Sequence, residues 1–211
     1  MRNSTPVFNI IYAFGFVNTC TYICCTYIHL NLSEMSNSNW SLDPSHSELQ
    51  FKVKHLMITT VTGSFQKFDV TAETEGDDFS TAKISFSAET ASITTGAEQR
   101  DTHLRSADFF EAETFPALSF KSTSIEKKGD DEFVVTGDLD LHGVVKPVTL
   151  NVDFGGIAKD LYGQTKAGFT LNGKINRKDF GLTWNAPTET GGLLVSEDVK
   201  ILAEIQLVKQ A

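Results

Sequence analysis

The sequence predicts an all-β fold: about eight antiparallel strands closing into a barrel, with one short helix inserted at about residues 96–106. Three observations carry this reading. From Trp40 onward apolar and polar residues alternate through most of the chain, the period-2 mark of half-buried strands. Short polar turns separate the alternating runs, as at Gly76-Asp77-Asp78 and Lys127-Lys128-Gly129-Asp130-Asp131. One stretch, Thr95 to Phe110, breaks the alternation and reads as helix. Eight strands with one apolar face each can close on themselves, removing the sheet edges and leaving room for one small ligand. A two-sheet sandwich fits the same pattern.

Taken in order, Glu48 to Leu56 is the first expected strand, with Leu49, Phe51, Val53 and His55 on one face. A turn is expected at Thr62-Gly63, after which Phe65 to Thr74 groups Phe68, Val70 and Ala72. Ile84, Phe86 and Ala88 follow the next hairpin signal, and Ile93 follows a bulge or bend. Beyond Pro116, Leu118 and Phe120 lead toward Lys127. Phe133, Val135, Gly137, Leu139 and Leu141 form the next inward face. After Gly143 come Val148, Leu150, Val152 and Phe154, and Gly155-Gly156 is expected to open a loop. Ala167 to Ile175 and Val199 to Leu207 complete the set.

The 211 residues suit one domain. A net charge of −9 excludes a nucleic-acid surface, which requires a basic face. The three cysteines, Cys20, Cys24 and Cys25, all precede Trp40, so the body has neither disulfides nor a thiolate nucleophile nor a cysteine zinc site. Residues 1–34 stand apart from the expected domain at 35–211. Three readings fit them: an upstream extension not native to the protein, with Met35 as the true start; a signal peptide around Val7 to Val17; or a membrane anchor diluted by polar residues. A start at Met35 implies a cytoplasmic protein, and a signal peptide a periplasmic or secreted one.

Within the interrupting segment, Thr95-x-x-Glu98 reads as a capping box opening a helix from Gly96 to about Ser106. Helical spacing groups Arg100, His103, Leu104 and Ala107, so Arg100 and His103 are expected to turn toward the body. Asp101 and Arg105 are then an i,i+4 pair on the solvent side. Of the 16 phenylalanines, 13 follow Trp40, and several fall on apolar strand faces. The expected cavity wall is Phe51, Val53, His55, Phe68, Phe86, Phe120, Phe133, Leu139, Phe169 and Leu171, with Arg100 and His103 as head-group candidates. A filled core explains the same faces. His46, His55, His103 and His142 lack metal-site spacing, so no metal is expected. Nor is there a glycine-rich phosphate loop or a Gly-x-Ser-x-Gly elbow.

Several blocks resemble the YceI-like family of lipid-binding proteins. Leu42-Asp43-Pro44-Ser45-His46-Ser47 with the alternating run to Leu56 is similar to its opening, and Arg100 to Phe110 resembles its central helix. Phe115-Pro116-x-Leu118-x-Phe120, Thr136 to Val148, and Gly173-Lys174-Ile175-x-Arg177-Lys178-Asp179-Phe180-Gly181 follow in the family's order. The resemblance implies an extended lipocalin-like barrel that holds a long-chain isoprenoid lipid, either a polyprenyl phosphate or an isoprenoid quinone. It implies no enzymatic activity and no cofactor beyond the bound lipid. It allows a homodimer, and it limits membrane contact to transient lipid exchange. Two further readings stand beside it: a small-molecule hydrolase or isomerase using Arg100, Asp101 and His103, and a stress-protective barrel without a ligand. For the carrier, each buried methylene contributes roughly 0.8 kcal/mol, and a charged head-group contact about 1–3 kcal/mol. Affinity should then come from the tail and orientation from the head.

Overall fold

The computed structural model describes residues 37–187 and 193–210; the readings of residues 1–34 lie outside these. Eleven strands are present: β1 Asn37–Leu42, β2 Glu48–His55, β3 Thr59–Phe65, β4 Phe68–Glu75, β5 Asp78–Glu89, β6 Ile93–Thr94, β7 Ala117–Lys127, β8 Glu132–Leu141, β9 Val144–Lys159, β10 Thr165–Asn176 and β11 Val195–Lys209. Among the described residues one α-helix, α1, spans Glu98–Arg105. All pairings are antiparallel. The ring β1-β4-β5-β7-β8-β9-β10-β11 closes through pairing of β11 with β1, giving an eight-stranded barrel. Closure decides against the sandwich. Among the described residues no helix is long and apolar enough to cross a membrane.

The three remaining strands extend the wall. The first half of β11 pairs with β2, as at Ala203↔Leu49, and its last residues pair with β1, as at Leu207↔Leu42. β1 and β2 are thus two halves of one long strand, and β4 and β3 two halves of its neighbour, in register at Trp40↔Ala72 and Gln50↔Ser64. The break between β1 and β2 has a local cause. Pro44 cannot donate to the ladder, and Asp43 accepts from Ser45 N at 3.1 Å to cap a 3-10 turn over Pro44–His46. Lys166 on β10 reaches the buried Asp43 carboxylate at 2.7 Å.

Four sequence expectations are corrected. No strand is expected before Glu48, yet β1 forms there and carries Trp40, which is 1% exposed and donates from Nε1 to Thr74 Oγ1 at 3.0 Å. The expected turn at Thr62-Gly63 lies instead at Leu56 to Ile58, and β3 runs through Gly63. That glycine serves close packing: a Cβ there would lie 2.3 Å from the Phe51 ring. At Gly155-Gly156 no loop opens. β9 continues to Lys159, and the pairing slips between Gly168↔Gly156 and Phe169↔Phe154, leaving Gly155 as a bulge.

The fourth correction concerns α1. Asp101, expected on the solvent side, is 2% exposed; it accepts from Thr95 N at 2.8 Å, Thr95 Oγ1 at 2.5 Å and Thr94 Oγ1 at 3.0 Å. Burial alone would push its carboxyl up, but these hydrogen bonds, aided by Arg105, outweigh it and hold the group below its usual range. The capping box does not form: the N-cap is Ala97, without a side-chain cap. Arg100 is exposed and folds back on Thr95, donating to its Oγ1 at 2.6 Å and its carbonyl at 3.0 Å. An eight-residue helix with apolar side chains only near its end leaves the phase open, and the β6-to-α1 turn fixes it through Asp101.

Two outcomes are expected in denaturant unfolding. Hydrogen bonds from Lys166, above all, hold the Asp43 carboxyl at about 2 against an ordinary 3.8, so its contribution is present above pH 4 and lost as pH falls toward 2. Asp43→Asn should lower stability by about 2 kcal/mol at pH 7, with the gap from wild type closing between pH 4 and 2. Asp101→Ala should cost about 3 kcal/mol through its unmet donors, whereas Arg100→Ala should stay within about 0.5 kcal/mol of wild type.

Candidate functional site

The barrel interior is the candidate site. Because every second residue of each strand points inward, the ring of β4, β5, β7, β8, β9, β10 and β11 presents one continuous apolar face. Two cavities of about 150 Å³ each open within it, and each has a wholly apolar surface. The deeper one is bounded by Phe79, Phe86, Phe120, Phe133, Phe169 and Leu207, among others. The other lies toward α1, between Phe51, Val53, Phe109, Phe110, Arg177 and Leu182. Leu49, Phe86 and Ile201 border both, so the two spaces are neighbours inside the barrel and outline one tunnel partitioned by these side chains.

Each end is closed differently. At the far end an aromatic cluster fills the barrel: Phe79 lies 5.0 Å from Trp40, 5.5 Å from Phe154 and 4.8 Å from Phe169 between ring centroids. Tilted and edge-on rings at these spacings pack densely and favourably. At the helix end, Leu104, Phe109 and Phe110 of the α1 segment lie over the second cavity, with Phe110 edge-on to Phe65 at 5.9 Å. His103 is half-buried between Phe109 and Trp184, at 5.0 and 4.8 Å, and its Nε2 meets the Asp108 carboxylate at 2.9 Å.

Of the residues expected to line the cavity, Phe86, Phe120, Phe133, Leu139, Phe169 and Leu171 border the deeper space, and Phe51 and Val53 the other. Phe68 packs on the core and leans on Phe86 at 6.5 Å, but borders neither space. His55 ends β2 opposite Thr59 and Val195, also outside both. Arg100 stands on the outer side of α1, and His103 sits behind Phe109. Arg100 and Asp101 meet through Thr95 Oγ1, while His103 is held by Asp108, so the three do not converge on one cavity. Among the described residues, no three His, Cys, Asp or Glu side chains gather where a metal could bind.

Sequence reading passed over Phe79 and Arg177. Phe79 follows the Asp77-Asp78 turn signal and is out of step with Ala82, Ile84 and Phe86; the irregular pairing between Glu73↔Lys83 and Glu75↔Asp78 restores it to the inward face. Arg177 carried a readable signal. It continues the inward phase of Phe169, Leu171, Gly173 and Ile175, and it is 4% exposed. Its Nε donates to Ser196 O at 3.0 Å, and its Nη1 to Leu182 O at 2.6 Å and Trp184 O at 2.8 Å. Its Nη2 is buried without a partner. Burial pushes the guanidinium below its ordinary range, with Glu197 opposing.

Comparison with known proteins matches this architecture. The YceI-like domain model covers residues 40–207. A UPF0312 protein of Staphylococcus aureus strain N315 is 38% identical over 170 residues, covering 80% of this chain and 96% of its own. The crystal structure of a Campylobacter jejuni YceI protein superposes with a TM-score of 0.65 at 33% identity, covering 76% of this chain and 91% of that one. Burkholderia cenocepacia BcnA shares the fold at 22% identity, with a TM-score of 0.67 over 78% of this chain and 98% of its own. So does a polyisoprenoid binding domain from Saccharophagus degradans, at 18% identity and a TM-score of 0.53 over 81% and 98%. With a matching domain model across the whole barrel and relatives above 30% identity along nearly their full length, the chain belongs to the YceI-like family.

Proposed function

We propose that this protein binds and carries a long-chain isoprenoid-type lipid, a polyprenyl phosphate or an isoprenoid quinone, in the barrel interior. The observation that carries the reading is the tunnel: two neighbouring apolar spaces, sharing Leu49, Phe86 and Ile201, inside a closed wall. A thin, methyl-branched run of isoprene units fits an apolar bore of this kind, whereas a compact polar substrate would find no partner in it. The name of the Saccharophagus degradans neighbour, a polyisoprenoid binding domain, supports the same ligand class. Each buried methylene contributes roughly 0.8 kcal/mol. The ceiling of about 0.3 kcal/mol per heavy atom for larger ligands keeps the total well below that sum. A binding rather than an enzymatic role agrees with Arg100 and Asp101 being tied to Thr95 and His103 to Asp108, none of them lining either cavity.

Exchange with a bilayer is proposed at the helix end. There the β2–β3 hairpin tip exposes Leu56, Met57 and Ile58, the last at 76%. Leu56 and Met57 hold positive φ angles of 51° and 60°, a conformation that costs a non-glycine residue about 1–2 kcal/mol. Tips normally use Asn-Gly here, so an apolar pair in this conformation is a double expense without a surface to receive it. Behind the tip, Lys52 and Lys200 are direct cross-strand neighbours on the outer face, with Lys54 above them, while Lys174 beside Lys200 is paired with Asp198 at 2.9 Å. Like charges in one row are locally unfavourable, and an anionic membrane surface compensates them. The expected occupant is therefore an anionic bilayer.

Organic extraction of purified protein followed by mass spectrometry should recover an isoprenoid. A preparation that yields none, and that takes up no added isoprenoid, would sink the carrier reading. Filling the deeper space by Ala203→Leu should reduce the recovered lipid several-fold, at a stability change of about 1–3 kcal/mol. For the bilayer, sedimentation with phosphatidylglycerol vesicles should exceed that with phosphatidylcholine and weaken in high salt. The double change Met57→Asp, Ile58→Asp should abolish it. Equal sedimentation of wild type and this variant would reject the tip as the contact.

A further inference from the structure

Arg177 is a buried cation with an unspent donor beside the tunnel. Three features of its surroundings define what it lacks. First, its Nε and Nη1 are occupied by the carbonyls of Ser196, Leu182 and Trp184, which fixes the plane of the guanidinium. Secondly, Nη2 has no partner, although the residue is 4% exposed and borders the cavity at the helix end. Thirdly, among the described residues no carboxylate pairs with it. The neighbouring Glu197 is taken by Lys178 at 2.5 Å. Carbonyl acceptors orient a guanidinium but bring no net charge, and Glu197, engaged by Lys178, favours the Arg177 charge only from beyond salt-bridge distance, which does not offset the cost of burial.

Because the cavity surface is apolar, Nη2 does not face the space directly, and a ligand must displace a lining side chain to meet it. No similar group occurs at the other end, where Trp40, Phe79, Phe154 and Phe169 fill the barrel. The tunnel is therefore polarised: among the described residues that line it Arg177 is the one charged side chain, at the helix end, with aromatic rings at the far end. Resting on the lipid-carrier reading, we propose that Arg177 holds an anionic oxygen of the ligand's head group through Nη2, with the tail running toward Phe79. An acceptor oxygen is the shared requirement of a phosphate and a quinone carbonyl. The charge, only partly offset by Glu197, selects the phosphate, because an anion supplies the rest of the counter-charge and a neutral carbonyl does not.

Competition against a fluorescent isoprenoid tests this, using geranylgeranyl monophosphate, geranylgeraniol and decylubiquinone as probes. Wild type should bind the phosphate about tenfold or more tighter than the alcohol, the worth of a charge-assisted hydrogen bond. Arg177→Gln should bring that ratio close to one while the alcohol's own affinity is retained; Arg177→Lys, which keeps the charge, should retain part of the preference. A wild-type ratio near one overturns the assignment without any variant, so loss of folding in Arg177→Gln cannot protect it. So does a quinone preferred over the phosphate, or a preference unchanged in a folded Arg177→Gln. If wild type binds none of the three, the carrier reading falls together with this one; if it binds the alcohol but ignores the phosphate, only the anchor falls.

Discussion

β11 is the strand on which the rest of the barrel depends. Its 15 residues pair with β10 along one edge and with both β1 and β2 along the other. Without it the sheet would be an open ribbon exposing two long rows of unpaired backbone groups. β11 is also last in the chain, so closure joins Trp40 to Lys209 and Leu49 to Ala203 across almost the whole body. Such non-local pairing forms slowly, because loop-closure entropy is lost before the contacts reward it. The inward residues Ala203, Ile205 and Leu207, all buried, stabilise the seam once it forms. The kinked neighbour strand makes the long pairing feasible. Breaking it at Asp43-Pro44 lets β1 and β2 follow β11 along its length while their directions differ.

The two ends of the barrel solve the closure problem by opposite means. At the far end, Trp40, Phe79, Phe154 and Phe169 fill space, and the single indole N–H is met by Thr74. At the helix end, closure rests on buried charges held by polar partners. Asp101 ties the β6-to-α1 turn to the helix through Thr94 and Thr95, and Arg177 ties the segment after β10 to β11 through Ser196, Leu182 and Trp184. A polar closure of this sort is directional. It sets where Leu104 and Phe110 lie over the cavity, which loose apolar packing would not do. The aromatic half has a charged tie of its own, Asp43 to Lys166 and Asp160, but it joins β1 to β10 and no member of it lines the cavity.

The alternation of the strands made most of the wall legible. Phe86, Phe120, Phe133, Leu139, Phe169 and Leu171 border the tunnel because period 2 is a rigid geometric rule. What escaped the pattern did so where geometry departs from the rule. Phe79 was hidden by the irregular β4–β5 pairing, and the run of β9 beyond Gly155 by a bulge that two glycines disguise as a loop. β1 escaped because Trp40 is flanked by serine and asparagine, which read as a polar lead-in. In α1 helical spacing was the wrong guide to burial: Asp101 is drawn in by hydroxyls of the preceding turn, a tertiary preference that no wheel contains. Arg177, by contrast, was available, since a charged residue in phase with a buried strand face must either be paired or have a task.

The bore of the tunnel is set by backbone as much as by side chains. Gly63 lies opposite Phe51, whose ring would come within 2.3 Å of any Cβ placed there, and Gly137 meets the ring of Phe120 at 2.4 Å in the same way. In each case the aromatic ring lies flat over a glycine on the neighbouring strand instead of standing out into the interior. A flat ring covers the exposed backbone and leaves the axis of the barrel free. An alanine at either position would push the ring inward and narrow the passage. Large side chains at Phe51 and Phe120 therefore serve a hollow interior only because their neighbours are the smallest residues. The same aromatic content without these glycines would build a solid core. The abundance of phenylalanine in the sequence thus says little about a cavity by itself; its pairing with inward-facing glycine is the feature that distinguishes a lined tunnel from a filled barrel.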